Sequence, residues 1–250
     1  MGRMSASAVL RPPGESTVVV AHRGGLPGPE NTLPAFEQAL LTRAAFVETD
    51  VRLTRDQVPV LIHDATLDRT TDGHGPVAEH TFSELRTLDA GAWHDPRYAG
   101  SRIPTLDELL ALLAPTDMNA LLELKGTWSI EQASLLVDLV HHHGLTDQVV
   151  LQSFDAATLH ALAQCAPHLP RFLLAEELDG DPVEAVRASG CVGFGTTPEL
   201  LAAHPQALAA LHEADFVVFC FTVNSREVAD LLRAAGVDGI ITDTPALIGG

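Results

Sequence analysis

Residues 18–72 read VVVAHRGGLPGPENTLPAFEQALLTRAAFVETDVRLTRDQVPVLIHDATLDRTTD, and the fold turns on how their apolar runs connect. The first run, 18–21, ends in His22-Arg23-Gly24-Gly25. The second, 46–53, carries Glu48 and Asp50 in alternate positions. Alternate residues of a strand point to one face, so both carboxylates can reach one point. A third run, 58–62, follows after only Thr54-Arg55-Asp56-Gln57 and ends in His63-Asp64. That link is too short for a parallel crossover, which takes about a dozen residues. The spacing therefore predicts a hairpin that rises above the first two strands and folds back, carrying His63 toward Glu48 and Asp50.

Outward from this stretch, apolar runs alternate with amphipathic ones along the chain, the pattern of βα units on a parallel sheet. Eight strands are expected near 18–21, 46–51, 120–124, 148–152, 171–175, 191–195, 216–221 and 239–242. Helices are expected over 32–44, 105–113, 129–143, 155–165, 182–188, 198–212 and 225–235, with a short one after Thr244. Thr105, Ser129, Asp155 and Ser225 suit N-caps, and Pro182 and Pro198 suit first helical positions. Gly144, Gly190 and Gly236 stand where helices stop. Eight such repeats make a TIM (β/α)8 barrel, one domain over 1–250. Residues 65–102, rich in Gly, Asp, Thr and His, form an insertion after strand two. They are too long for a plain loop and are expected to cap the barrel mouth. Residues 1–15 read as a disordered tail.

The chain of 250 residues is 46% hydrophobic with a formal charge of −18. That charge argues against nucleic acid or an anionic membrane surface as partner, since both call for clustered Lys and Arg. No run is long enough to insert stably in a membrane. Cys165, Cys191 and Cys220 form no CxxC pair and read as reduced apolar thiols. With no signal-peptide pattern at the start, the expected location is the cytoplasm. Nothing in the sequence bears on oligomeric state.

In a TIM barrel the site lies at the C-terminal strand ends. His22 and Arg23 end strand one, Glu48 and Asp50 strand two, Glu123 and Lys125 strand three. Glu48, Asp50 and Glu123 suit a hard divalent cation, Mg²⁺ or Ca²⁺, and not zinc. The competing reading is that these carboxylates simply pair with Arg23 and Lys125. Two such elements at successive strand ends, beside His22 and with His63 returning to them, favour the site. His141-His142-His143 closes a helix on the outer ring and reads as a surface feature. His74, His80 and His94 lie in the insertion. Ser153, Glu176, Phe221 and Asn224 fall at or beyond strand ends and are pocket candidates.

The ordered set of HRG, PENT at 29–32, Ala35-Phe36, ETDV at 48–51, Pro59-Val60, HD at 63–64, DRTT at 68–71, LDAG at 88–91, IPTL at 103–106, ELK at 123–125 and DGIITD at 238–243 resembles the glycerophosphodiester phosphodiesterase family. The resemblance runs over nearly the whole chain. It implies metal-dependent hydrolysis of a small glycerophosphodiester, such as glycerophosphocholine or glycerophosphoethanolamine, to sn-glycerol 3-phosphate and an alcohol. It assigns His22 and His63 as the acid/base pair, without saying which is which. It makes Glu48, Asp50 and Glu123 the metal ligands and Arg23 and Lys125 the phosphate-binding cations. Phe221 stands where similar enzymes often carry Trp, and is expected to pack on the substrate. Ala44 and Gln57 replace glycines common in such chains. A lysophospholipase D-type enzyme on the same barrel is the nearest alternative. A non-catalytic phosphoester-binding barrel would have lost one of these groups, and none is missing.

Overall fold

The structure, a computed structural model, describes residues 17–249. Its strands are β1 (Val18–Ala21), β2 (Phe46–Leu53), β3 (Pro59–Leu61), β4 (Asn119–Leu124), β5 (Val149–Ser153), β6 (Arg171–Leu174), β7 (Gly193–Thr196), β8 (Val217–Cys220) and β9 (Gly239–Thr242). All but β3 run parallel, and β1 pairs with both β2 and β9, which closes an eight-stranded barrel. The helices are α1 (Leu33–Ala39), α2 (Phe82–Leu85), α3 (Leu106–Leu113), α4 (Ile130–His142), α5 (Ala156–Cys165), α6 (Pro182–Ala188), α7 (Pro198–Ala203), α8 (Ala207–Glu213), α9 (Arg226–Ala235) and α10 (Pro245–Ile248). This is the TIM barrel the repeat pattern predicts.

Val20, Phe46, Leu121, Val150, Phe172, Phe219 and Ile241 fill the barrel interior. The ring of Phe172 meets that of Phe219 edge to face at 4.9 Å. Room for these rings comes from glycine. A Cβ at Gly193 would lie 2.4 Å from Phe172, and one at Gly239 would lie 2.4 Å from Phe219. The outward strand residues pack instead on helix faces such as Leu109, Leu110, Leu136 and Val140. Thr105, Ser129, Asp155 and Ser225 accept backbone N–H bonds as helix caps, and Gly144, Gly190 and Gly236 all have positive φ.

The short link after β2 is a hairpin, with Val51 opposite Leu61 and Leu53 opposite Pro59. One residue past β3, the Ile62 N–H donates to the Asp50 carbonyl at 3.0 Å. That bond lays His63 beside the carboxylate-bearing end of β2. Residues 65–102 hold α2 and two 3-10 turns, Val77–Glu79 and Pro96–Tyr98. Leu67, Val77, Leu85, Ala90 and Ile103 pack on Val60 and Ile62 as an apolar cluster of their own, so the insertion rests on the hairpin.

Two helices depart from expectation. The expected helix over 32–44 ends at Ala39. There the Thr42 hydroxyl donates to the Ala39 carbonyl and accepts from the Ala44 N–H, a local pairing that competes with further helix. The expected helix over 198–212 is two helices. Pro205 cannot donate, and it pushes His204 out of helical geometry, to φ −127°, ψ 69°. The predicted tail at 1–15 lies outside the described residues. Among those residues no helix is long and apolar enough to cross a membrane.

Candidate active site

The chain leaves β1 in a tight turn over His22–Gly24. Arg23, Gly24 and Gly25 have φ of 51°, 90° and 79°, consecutive left-handed residues. Glycine is required at position 24, where a Cβ would lie 2.7 Å from that of Ala35. Arg23 adopts the same region without that freedom, a strained conformation of the kind found where a side chain must be aimed. The Arg23 N–H donates to Glu48 Oε2 at 3.1 Å, and its carbonyl accepts from the Asn31 N–H. The turn thus sets His22 and Arg23 over the barrel mouth.

Glu48, Asp50 and Glu123 are 2%, 1% and 6% exposed, and Asp50 and Glu123 are direct neighbours across β2 and β4. One oxygen from each lies within 4.8 Å of the others. Lys125 Nζ stands 2.7 Å from Glu123 Oε1 and 3.1 Å from Asp50 Oδ1, and Arg23 Nε stands 3.1 Å from Asp50 Oδ2. Asn31 Nδ2 donates to Asp50 at 2.8 Å, and Gln152 Nε2 to Glu48 at 3.3 Å. Burial and the charge of Asp50 push Glu48 and Glu123 up to about 7. Burial acts the same way on Asp50, but Lys125 and Arg23 outweigh it and hold Asp50 at about 2. Despite those cations, Asp50 Oδ1 and Arg23 Nε are buried without an aligned hydrogen bond. Three buried carboxylates, two of them forced toward protonation and one with an oxygen that lacks an aligned hydrogen bond, fit a hard divalent cation.

The histidines flank this cluster, and each is backed by a carboxylate. His22 Nδ1 lies 2.6 Å from Asp243 Oδ1. Asn224 orients that aspartate, donating from Nδ2 to Oδ2 at 2.6 Å and accepting the Asp243 N–H at 2.8 Å. His63 Nδ1 lies 2.7 Å from Asp64 Oδ1. Arg69 holds Asp64 by bonds of 2.7 and 3.1 Å and Glu30 by bonds of 2.7 and 2.8 Å, and Glu30 in turn binds Arg23 at 2.9 Å. With both Nδ1 atoms engaged, each Nε2 is left to meet a substrate. Burial lowers the affinity of His22 for a proton, but the Asp243 bond and the charge of Glu48 reverse that and leave it raised. For His63 burial prevails, and it stays lowered.

A cavity of about 160 Å³ opens between these groups. His22, Arg23, Glu48, His63, Glu123 and Lys125 line it, with Gln152, Phe154, Glu176 and Phe221 on the far wall. Asp50 lies beneath, under Arg23 and Lys125. The rings of Phe154 and Phe221 meet at 5.9 Å and 80°, and Lys125 Nζ lies 5.8 Å from the Phe154 ring centre. The eight residues given a site role in the sequence reading thus converge. Ser153 does not join them: its hydroxyl donates to the Leu124 carbonyl. His74 pairs with Asp68, and the exposed His80 ring bonds the His74 carbonyl. On the outer ring His141 stacks on His168 and His143 pairs with Asp107. Asp243, Asp64, Asn31, Glu30, Arg69, Gln152 and Phe154 carry no role in the sequence reading. Asp243 and Phe154 could have been found by asking which further residues follow strand ends; Glu30 and Arg69 could not.

A family model described as the glycerophosphoryl diester phosphodiesterase family matches residues 22–247. The chain belongs to that family. As a phosphodiesterase of this group it is 35% identical over 235 residues to a glycerophosphodiester phosphodiesterase of Caldanaerobacter subterraneus, covering 92% of this chain and 95% of that one. It is 30% identical to one from Bacillus subtilis, over 92% and 84% of the two chains. Among solved structures, a glycerophosphodiester phosphodiesterase from Agrobacterium tumefaciens superimposes with a TM-score of 0.82 at 31% identity, over 93% and 98% of the chains. An Oleispira antarctica phosphodiesterase, solved with the product sn-glycerol-3-phosphate, superimposes with a TM-score of 0.87 at 29% identity, over 94% and 96%.

Proposed function

We propose that this phosphodiesterase hydrolyses small glycerophosphodiesters, with glycerophosphocholine and glycerophosphoethanolamine as first candidates, to sn-glycerol 3-phosphate and a free alcohol. The observation that carries the reading is the pair of carboxylate-backed histidines facing one cavity across an acidic triad. The product bound in the Oleispira protein supports the choice of substrate.

In this reading Glu48, Asp50 and Glu123 hold a divalent cation, Mg²⁺ or Ca²⁺. Bound there, the ion would supply positive charge against the non-bridging phosphate oxygens. Arg23 and Lys125, at the rim of the same cavity, bind those oxygens too. His63, whose proton affinity is lowered, is the base: its Nε2 takes the proton of the attacking glycerol 2-hydroxyl, the P–O bond to the alcohol breaks, and water then opens the resulting cyclic phosphate to glycerol 3-phosphate. His22, whose proton affinity is raised, keeps its proton longer and gives it from Nε2 to the leaving alcohol oxygen. Asp64 and Asp243 fix the tautomers. Phe221, with Phe154, packs on an organic arm of the substrate. The insertion at 65–102 caps the mouth. Cys165, Cys191 and Cys220 are free thiols, which suits a reducing cytoplasm.

The test is glycerol 3-phosphate release from glycerophosphocholine by wild type, His22→Ala and His63→Ala. Each variant should lose about 10²–10⁴-fold in kcat while melting within a few degrees of wild type. Full activity in both variants would contradict the assignment.

A further inference from the structure

A second cavity, of about 260 Å³, adjoins the first. The two share only His22 and Arg23. None of the triad lines the second one. Its walls come from the loop after β1 and from the insertion, chiefly Leu26, Trp93 and His94. A phosphodiester has two organic arms diverging from one phosphorus. Two cavities that meet at one histidine and one arginine are the negative image of such a molecule.

Building on the function proposed above, we infer that this second cavity is the subsite for the alcohol arm, and that Trp93 and Leu26 select that arm. The larger cavity takes the larger group. Its surface sets the chemistry. Leu26 is 49% exposed and Trp93 40% exposed, so two large apolar side chains are presented to solvent at one concave place. Both rings of the insertion's wall are fixed. Trp93 Nε1 donates to the Ala90 carbonyl at 3.0 Å, and His94 Nε2 lies 2.9 Å from the Pro27 carbonyl. The two rings meet edge to face at 5.4 Å. The His94 contact also ties the insertion to the loop after β1, across the cavity. A rigid aromatic face spends little order on binding. Glu30 and Asp243 also line it, but Arg23 and Arg69 hold the first and His22 and Asn224 the second, which leaves the indole as the open surface. A soft, weakly hydrated cation suits an exposed indole face, so the arm favoured is a methylated ammonium alcohol over a small neutral one. The geometry also places the leaving oxygen of that arm beside His22, which with Arg23 lines both cavities.

The experiment compares kcat/KM for sn-glycerol 3-phosphocholine and for the methyl diester of sn-glycerol 3-phosphate, with metal-loaded enzyme. Trp93→Ala should reduce the preference for the choline diester about tenfold, mainly through KM, and Trp93→Phe should restore most of it. Leu26→Ala, at a position exposed to solvent, should reduce the preference in the same direction by a smaller factor. Equal losses on both diesters, or no loss in any variant, would overturn the subsite while leaving the hydrolytic reading intact. A wild type that cleaves neither diester would overturn that reading and the subsite with it.

Discussion

Asp243 offers the sharpest single perturbation. Its Oδ1 meets His22 Nδ1 at 2.6 Å, and its Oδ2 accepts from Asn224 at 2.6 Å. Asp243→Asn keeps the shape but supplies only one oxygen. Either His22 or Asn224 then faces an NH₂ group and loses its acceptor. A hydrogen bond to a charged group is worth about 1.5–3 kcal/mol, and each ~1.4 kcal/mol is a factor of ten. The expected loss in kcat is therefore roughly 10–150-fold. The pH profile should change as well. His22 is raised only because the Asp243 bond and nearby negative charge outweigh its burial. Without the carboxylate, burial prevails and the proton is lost at lower pH. An acid that must be protonated then fails earlier, so the alkaline limb of kcat moves down in pH. The assay is coupled glycerol 3-phosphate release, between pH 5.5 and 9.5, at saturating metal. An unchanged alkaline limb with a rate within about threefold of wild type, well under the loss expected from that bond, would refute the role given to Asp243 and the acid role of His22.

Two further outcomes follow from the same network. Arg69→Ala removes the cation shared by Asp64 and Glu30, and because Arg69 is largely exposed the stability cost should be only about 1 kcal/mol, read as a small fall in Tm. The unshared charge of Asp64 should then stabilise protonated His63, so the acid limb of kcat/KM moves up in pH and activity falls more at pH 6 than at pH 8. A loss equal at both would contradict this. In metal-free protein Glu48 and Glu123 are raised from 4.5 to about 7, so their stabilising proton uptake is present below that window and lost as pH rises through 7. Added Ca²⁺ or Mg²⁺ should accordingly raise Tm more at pH 8 than at pH 5.5, as scanning calorimetry would show, and an equal or reversed increment would contradict a triad cation site.

Much of this was legible before the fold because barrel chemistry sits where strands end. Glu48 and Asp50, then Glu123 and Lys125, announce themselves by alternation at the close of apolar runs. His63 was placed by a link too short to cross over. The expected helix over 198–212 breaks at Pro205, a residue visible in the sequence but set among apolar residues that carry the helical pattern past it. Residues that act through another residue were the hardest to read. Glu30 joins Arg69 from 39 positions away, and Gln152 reaches Glu48 across 104. No local period encodes such pairs; only barrel closure and the packing of the insertion on the hairpin bring them together. Nothing in the sequence singles out Trp93 or His94, because their cavity exists only once the loop after β1 faces them.

The central claim is that the triad holds a metal and that this site releases glycerol 3-phosphate. It is tested most directly by measuring that product from glycerophosphocholine after treatment with EDTA and after restoring Mg²⁺ or Ca²⁺, in wild type and in Glu48→Gln. Release that EDTA abolishes and a divalent ion restores, in wild type but not in Glu48→Gln, is the predicted result. Undiminished release in EDTA, or equal release by the variant, would contradict it.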